Sequence, residues 1–397
     1  MHTFRYSACI FASVFCSVAA KGQSSTLLPI NDNFRALTQN DTRIFGLDFA
    51  GTIWSSDNGG TSFSQRYVID EELNDTYYTI AALGDTVLTA GTDALMARSG
   101  DNGNSWNPSI NADFVQGDVK AIAGRAALTS VDNQWVAVGN DGSQGVLFTS
   151  QNDGIDWMRY DSGTNFSDLD FSGAVWTGSA WLVCGLKSQI ATGATNYPGV
   201  IYRSLDASTW TLIGDSFPAP LRAMATDGEG RVLAVGERGL ILRSTDHGLT
   251  FEQIDQSSIS EDLSAVVATG ANKFTIGGDG KSVFESDAGV VSVIRPPASG
   301  ATPVEALLLV GGDVLLGGEF LSSQRIVPFD LGVEAIGGGY RLTVDQALSG
   351  KVYTLETSTT LQSWDPVPSS DKAGDDGLLQ WVLPSDGTRR FWRATEF

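Results

Sequence analysis

The chain has 397 residues, with 46 Asp and Glu against 25 Lys and Arg, so its formal net charge is -21. This acidic balance excludes nucleic acid and anionic membrane surfaces as partners, because both require a basic face. The length predicts two domains, or one repeat array with a small additional module.

Residues 1–20 have the pattern of a signal peptide. His2 and Arg5 make a weakly basic start, Tyr6–Val18 is apolar, and Ser17–Ala20 offers small residues before Lys21. The apolar stretch is too short to span a bilayer, and no other window is apolar enough to do so. We therefore expect an exported protein without an integral membrane segment, located in the periplasm, at the cell surface or outside the cell.

From about residue 31, the sequence repeats itself at a period of roughly 40–50 residues, which is typical of propellers and solenoids. Each unit opens with apolar residues around a polar one, as in Leu221–Met224, followed by an apolar run that ends in glycine, as in Val232–Gly236. It closes with a turn of the form Ser-x-Asp-x-Gly-x-x-aromatic, as in Ser244–Phe251. Short apolar runs broken by glycine predict strands and tight turns. The units cover about 31–68, 76–110, 117–160, 167–213, 219–254, 261–294 and 303–329.

The repeated turn is predicted to be structural. Asp and Ser side chains bond nearby backbone amides, and glycine accepts a positive φ. Asn58 and Asn152 take the Asp position in two units, which a turn tolerates and a general acid does not. A residue that recurs in every unit also lies at a separate place in each unit, whereas catalysis needs several groups that meet at one point. The predicted turn residues are Ser56, Asn58, Gly60, Phe63, Ser99, Asp101, Gly103, Trp106, Ser150, Asn152, Gly154, Trp157, Ser204, Asp206, Trp210, Ser244, Asp246, Gly248, Phe251, Asp287 and Gly289.

Seven units of three or four short strands predict an all-β fold, a seven-bladed β-propeller over 25–331. Such a ring must close, and the seventh unit has few residues for a fourth strand. We predict that Thr26–Ile30 supplies that strand, with residues 338–345 as the alternative. Residues 333–397 contain further strand-like runs, such as Tyr340–Val344 and Val352–Glu356, and predict a small β-sandwich module.

The turn resembles the Asp-box, or BNR repeat, over most of 31–294. Asp-box propellers include sialidases, xyloglucan hydrolases, sortilin-type receptor domains and the photosystem II assembly factor family. The segment Val235–Asp246 is most similar to the last of these. Within the tail, Tyr353–Trp364 and Phe391–Ala394 resemble C-terminal modules appended to many secreted bacterial proteins. In these families the Asp-box is a folding element remote from the functional site, which the resemblance implies here too.

The scarcity of histidine and cysteine excludes several chemistries. Beyond the predicted signal peptide, His247 is the single histidine, in a variable turn position where we expect it to face solvent. Ser-His-Asp and Cys-His catalysis and His-based zinc sites are therefore excluded. Cys184 lies in a strand pattern and is predicted to be a buried thiol. The acidic loops Asn140–Gly142 and Asp371–Gly377 lack EF-hand spacing, so we expect no metal and no cofactor.

The polar residue near the start of each unit differs from unit to unit. In a propeller the first strand of each blade is innermost, so these positions form a ring around the channel. Variation between blades is expected of a binding site. Its three cations favour an anionic ligand such as a carboxylate, or alternatively pair with the acidic members of the ring. The predicted ring consists of Arg35, Thr79, Lys120, Asp170, Arg222, Ser264 and Glu305.

The predicted function is non-catalytic binding of a protein or a glycan through the channel mouth and the surrounding loops. The alternative is a glycoside hydrolase of sialidase type or of xyloglucanase-like endo-glucanase type. Sialidases use an arginine triad, for which Lys120 would replace one Arg, and a Tyr–Glu pair that cannot be assigned. The second type needs two carboxylates across a cleft, for which Asp170 and Glu305 are the candidates.

Overall fold

The computed structural model describes residues 34–318 except 69–75, 110–116, 128–131, 143, 161–165, 189–196, 256–258, 280–282, 296–302 and 311–312, together with separate segments nearer the termini. The chain divides into two compact units. The first comprises Leu27–Gln324, and the second comprises Met1–Thr26 with Arg325–Phe397. In the described residues, no helix is long and apolar enough to cross a membrane.

The first unit is built from antiparallel sheets that follow one another along the chain. The first strands of the seven successive sheets are Phe34–Gln39, Tyr77–Leu83, Asp118–Arg125, Leu169–Trp176, Leu221–Thr226, Leu263–Gly270 and Ala306–Val310. The second strands are Ile44–Asp48, Thr86–Gly91, Gln134–Asn140, Trp181–Lys187, Val232–Gly236, Lys273–Gly278 and Asp313–Gly317. The third strands are Ile53–Ser56, Met96–Ser99, Gly145–Ser150, Gly199–Ser204, Ile241–Ser244 and Val283–Asp287. The fourth strands are Ser64–Tyr67, Asn107–Ser109, Met158–Arg159, Thr211–Phe217, Glu252–Gln253 and Val290–Arg295. In the described part of the chain, short 3-10 turns at Thr92–Ala94 and Glu237–Gly239 follow the second strands of sheets two and five.

The seven first strands form a closed ring. Each packs beside the first strand of the next sheet, and Ala306–Val310 packs beside Phe34–Gln39. The sheets are thus the blades of a propeller, with the first strands innermost. The fold class predicted from the repeats is confirmed.

The hydrophobic core lies between the blades. Phe45 and Leu47 of blade one pack with Tyr77 and Val87 of blade two, for example, and equivalent clusters join the following pairs. The second strands are near-continuous apolar runs, because both of their faces are buried against neighbouring blades. Cys184 is fully buried in one of these strands, as predicted, and burial raises the pKa of its thiol to about 12.

Ala20–Leu27 and Gly339–Ala347 both pair with Gln324–Ile336, and all but the end residues Leu27 and Gln324 belong to the second unit. Residues 28–30 of the predicted closing strand lie outside the described residues. The choice between Thr26–Ile30 and residues 338–345 for blade seven therefore stays a prediction.

The second unit is also made of strands. Phe391–Glu396 pairs with Val352–Ser358 and with the short segments Phe4–Arg5 and Ala8–Cys9. The remaining strands are Asp365–Pro366, Lys372–Ala373 and Gly377–Pro384. Gln324–Ile336 runs across the domain boundary predicted at residues 331–333, and the predicted division and sandwich topology stay predictions.

Candidate ligand site in the central channel

A β-bulge interrupts the start of six innermost strands. In blade five the register shifts between Leu221 and Ala223, and the extra residue is Arg222. A bulge leaves one residue unpaired and redirects its side chain. The bulged residues are Arg35, Tyr78, Lys120, Ser172, Arg222 and Ser264.

The residue before each bulge is buried and pairs with the end of the second strand. In five blades that end is a glycine, as where Val119 pairs with Gly139. A Cβ on Gly139 would lie 1.7 Å from the carbonyl oxygen of Asp118. In these five blades the glycine is therefore required by a close backbone approach at the bulge.

The bulged residues surround a cavity of about 280 Å³ in the channel. Six of the seven predicted ring residues line it, namely Arg35, Thr79, Lys120, Arg222, Ser264 and Glu305. Asp170 does not line the cavity, and Ser172 occupies the bulge of blade four instead. The predicted alignment of this blade was offset because Leu169 and Phe171 are both buried, so either could precede the bulge.

Tyr78 was missed by the sequence alignment, which selected its neighbour Thr79. Both residues line the cavity, but Tyr78 is the bulged one. Two adjacent tyrosines made the buried anchor ambiguous, and the structure shows that Tyr77 is fully buried. Burial raises the pKa of Tyr78, and the negative charge of Asp118 acts in the same direction.

Two of the three channel cations are neutralised by carboxylates. Lys120 donates to both carboxylate oxygens of Asp170, at 2.7 and 2.8 Å. This is the pairing that the alternative interpretation predicted. Arg222 donates to Glu237 and to Asp262, both at 3.1 Å, and the carboxylate of Asp279 lies 3.9 Å away. The sector around Arg222 is therefore acidic.

The third cation, Arg35, has aromatic neighbours. Its guanidinium carbon lies 4.8 Å from the ring centre of Phe49 and 5.1 Å from that of Tyr78. One N–H donates to the carbonyl oxygen of Tyr77 at 2.9 Å. Arginine stacks well on aromatic faces, and such contacts restrict its guanidinium. Phe49, outside the innermost strand, had no signal in the repeat pattern.

The repeated turns form a hydrogen-bonded structure between the third and fourth strands. In blade five, Ser244 Oγ donates to Asp246 Oδ1 at 2.7 Å and accepts from the Gly248 amide at 2.9 Å. The same oxygen of Asp246 accepts from the Thr250 amide at 3.0 Å. Asn58 and Asn152 accept the equivalent amide bonds in their own turns. Each of these side chains is therefore used within its turn.

Blade four and blade six have shortened turns. In blade four, Ser204 Oγ accepts from the Ala207 amide at 2.9 Å, in place of a glycine. In blade six, Asp287 pairs with Val290 across a two-residue turn, in which Ala288 and Gly289 have φ values of 51° and 91°. That geometry is typical of a tight hairpin.

The aromatic residue after each turn packs inward. Trp157 is almost fully buried in the cluster shared by blades two and three, and Trp210 in the cluster shared by blades three and four. Phe251, Trp106 and Phe63 pack against the corresponding clusters of their blades. These side chains stabilise the contact between neighbouring blades.

His247 does not face solvent as expected. Its Nδ1 lies 3.1 Å from the carbonyl oxygen of Thr177 in blade four, and its own carbonyl accepts from Arg203 Nε at 2.9 Å. The left-handed conformation at His247, with a φ of 57°, turns the side chain back toward the preceding blade. Arg98 makes the same type of bond to the carbonyl of Asp153, at 2.8 Å. The turns thus also join adjacent blades.

Replacement of Ser244 with alanine is expected to lower the free energy of unfolding by about 1–3 kcal/mol, because it leaves the buried Gly248 amide without its acceptor and removes one hydrogen bond to Asp246. Urea denaturation of the intact chain measures this loss. Ser64→Ala, on an exposed outer strand, is the matched control and is expected to change stability by less than about 0.5 kcal/mol. Equal stability of the two variants would contradict the role of the turn.

Acid is expected to weaken the turn of blade two. Hydrogen bonds from the hydroxyl and amide of Ser105, and from Ser99, lower the pKa of Asp101 to about 2. Because the folded pKa is below the ordinary value of about 3.9, this contribution is present above pH ~4 and is lost as the pH falls toward 2. Asp101→Asn keeps a side-chain oxygen that accepts the amide hydrogen bond, as Asn58 does in its own turn. The melting temperature of this variant is expected to fall less between pH 5 and pH 2 than that of the unsubstituted protein. Parallel melting curves for both proteins would refute this.

One of the two acidic loops has a structural partner. Asp141 in the loop Asn140–Gly142 accepts from Arg159 at 3.1 Å. Across the described residues, no group of three or more His, Cys, Asp and Glu is arranged to hold a metal ion. The acidic loop Asp371–Gly377 lies largely outside the described residues.

A closed ring of antiparallel blades around a channel defines a β-propeller. Among solved structures, the chain is similar to YCF48 bound to D1 peptide, with a TM-score of 0.58 and 13% identity over 77% of this chain and 96% of that one. YCF48 from Cyanidioschyzon merolae gives a TM-score of 0.56 and 16% identity over 77% and 98%. The WD40 propeller domain of Doa1 gives 0.55 and 13% over 78% and 97%. No family model and no curated protein matches the chain.

Proposed function

We propose that this protein binds a segment of another protein at the mouth of its central channel. The observation that carries the proposal is the ring of bulged residues around the cavity. The same backbone feature recurs from blade to blade, but its side chain changes between arginine, tyrosine, lysine and serine. A packing position would keep one residue type, whereas a recognition surface needs different groups at defined places.

The composition of the site favours a polypeptide ligand. The cavity combines an aromatic hydroxyl, two serine hydroxyls and charged groups with small apolar residues such as Ala36 and Ala223. Peptides present both backbone hydrogen-bonding groups and apolar side chains, which suits such a mixed lining. One similar propeller is a YCF48 complex with a D1 peptide, which supports a peptide-binding use of this architecture.

The test is selection of ligands from a random peptide library on the intact protein, followed by calorimetry with a channel variant. Ser264→Trp places a large side chain in the cavity and is expected to abolish binding. Thr211→Trp, on the exposed outer strand of blade four, is the matched control and is expected to bind normally. Undiminished binding by Ser264→Trp would contradict the proposal. Turnover of a fluorogenic glycoside would favour the glycosidase alternative.

We also propose that the protein is exported, on the basis of the signal-peptide pattern in residues 1–20. Expression of the full chain in a bacterial host, followed by cell fractionation and N-terminal sequencing, tests this. Cleavage after Ala20 and recovery outside the cytoplasm are expected. An intact N-terminus on cytoplasmic protein would refute it.

A further inference from the structure

Arg35 differs from the other two cations of the channel in its electrostatic partners. Lys120 and Arg222 each have a carboxylate within 3.1 Å. Among the described residues, no carboxylate oxygen lies within 4 Å of a nitrogen of Arg35, although the side chain is half-buried in the cavity lining. Within the described part of the channel, Arg35 is therefore the arginine whose charge is not matched by a direct ion pair.

The guanidinium of Arg35 is already positioned before any ligand arrives. Its contacts with Phe49 and Tyr78 and its bond to the Tyr77 carbonyl hold one end of the group. An arginine side chain has five N–H donors, and the bond to Tyr77 uses one of them. Burial lowers the pKa of Arg35, while the nearby charges of Glu305, Tyr78 and Asp48 act in the opposite direction. The group stays protonated at neutral pH, since an arginine does not lose its proton in proteins.

We propose that Arg35 is the anchor for a carboxylate of the bound protein segment. This inference rests on the proposed function and specifies the chemistry of its ligand. A planar guanidinium offers two parallel N–H groups that match the two oxygens of a carboxylate, and such charge-assisted pairs are strong and directional. Because the aromatic contacts restrict Arg35, little side-chain freedom remains to be lost on binding.

The surroundings of Arg35 restrict which anion enters. Lys120 and Arg222 are neutralised, and Glu305 is a carboxylate in the same cavity lining. A ligand with several clustered negative charges would be repelled by Glu305 and by the acidic sector around Arg222. The site therefore suits a single carboxylate, from a chain terminus or from an Asp or Glu side chain, with neutral or basic residues around it.

Calorimetry of the intact protein with a library-selected peptide tests the inference. The peptide is synthesised with a free C-terminus, with an amidated C-terminus, and with its Asp and Glu replaced by Asn and Gln. One of the last two forms is expected to bind at least about tenfold more weakly, and that form identifies the source of the carboxylate. Arg35→Lys, which retains the positive charge without the two parallel N–H groups, is expected to reduce affinity by a similar factor.

Two further variants make the result specific to this subsite. Arg125 also lies over an aromatic ring, that of Trp176 at 4.8 Å, at the other end of an innermost strand. Arg125→Lys is therefore the matched control and is expected to leave peptide affinity unchanged. Glu305→Gln removes the competing carboxylate and is expected to strengthen binding several-fold.

A titration with acetate tests the subsite independently of any peptide. The Nε–H resonance of Arg35, assigned by its loss in Arg35→Gln, is expected to shift saturably with acetate and not with acetamide. If peptides bind in the channel but both neutralised forms bind equally well and acetate causes no shift, the carboxylate inference is overturned while the proposed function stands. If acetate binds at Arg35 and the library yields no channel ligand, the proposed function fails instead.

Discussion

Replacing Gly139 with alanine is expected to destabilise the propeller by about 3 kcal/mol or more. The added Cβ would lie 1.7 Å from the carbonyl oxygen of Asp118 and 3.1 Å from the Cα of Val119. Both atoms belong to the backbone, so no flexible side chain can move aside. Relief requires separation of the first two strands at the bulge that carries Lys120, and urea denaturation measures the cost.

Gly270→Ala is the matched control for this substitution. Gly270 also ends a strand, but its nearest neighbour would be the Cβ of Lys273 at 3.5 Å, an ordinary contact. This variant is expected to change stability by less than about 0.5 kcal/mol. Blade one has Asp48 in place of the glycine, paired with Phe34, so this position accepts a side chain in that blade. A Gly139→Ala protein as stable as the Gly270→Ala protein would show that blade three can also open without cost.

The sequence predicted the fold well because each repeat carries its own local signals. Apolar second strands ending in glycine, followed by the Ser-x-Asp turns, were enough to phase the blades and to predict a propeller. The similar structures, two of YCF48 and one of a WD40 domain, are propellers or match this chain at the level of the fold. The repeats identify an architecture, which by itself implies no particular function.

The channel ring was harder to predict, because a bulge shifts the register by one residue. A better signal is the small residue that follows each bulged one, such as Thr79 after Tyr78 and Gly173 after Ser172. These small residues line the cavity beside the bulged side chains. Alignment on them would have selected Tyr78 and Ser172 in place of Thr79 and Asp170.

Apart from the pairing of Lys120 with Asp170, the polar contacts between blades could not be predicted from the repeats. His247 occupies a position whose equivalents are small or polar, yet it contacts Thr177 of the preceding blade. Arg222 is paired with Glu237 and Asp262, which lie in loops outside the repeated pattern. Such pairs depend on how neighbouring blades are placed in space, and a one-dimensional period holds no information about that.

Replacing Trp181 with alanine is expected to lower the free energy of unfolding by about 3–5 kcal/mol. Trp181 is fully buried in the cluster between blades three and four, and its ring lies 5.0 Å from that of Trp176. The surrounding strands are fixed by their ladders, so the cavity left by the indole cannot collapse fully. Urea and thermal denaturation of the intact chain measure the loss.

Trp181→Phe separates the effect of volume from that of the indole N–H. The Nε1 atom of Trp181 is buried and has no hydrogen-bond acceptor among the described residues. A buried unpaired donor costs about 1–3 kcal/mol, so its removal offsets part of the cavity created by the smaller ring. We expect Trp181→Phe to be at least about 2 kcal/mol more stable than Trp181→Ala. Leu205→Ala, at a position 63% exposed, is the surface control. A Trp181→Phe protein as unstable as the Trp181→Ala protein would show that the indole N–H has a hydrogen-bond partner in solution.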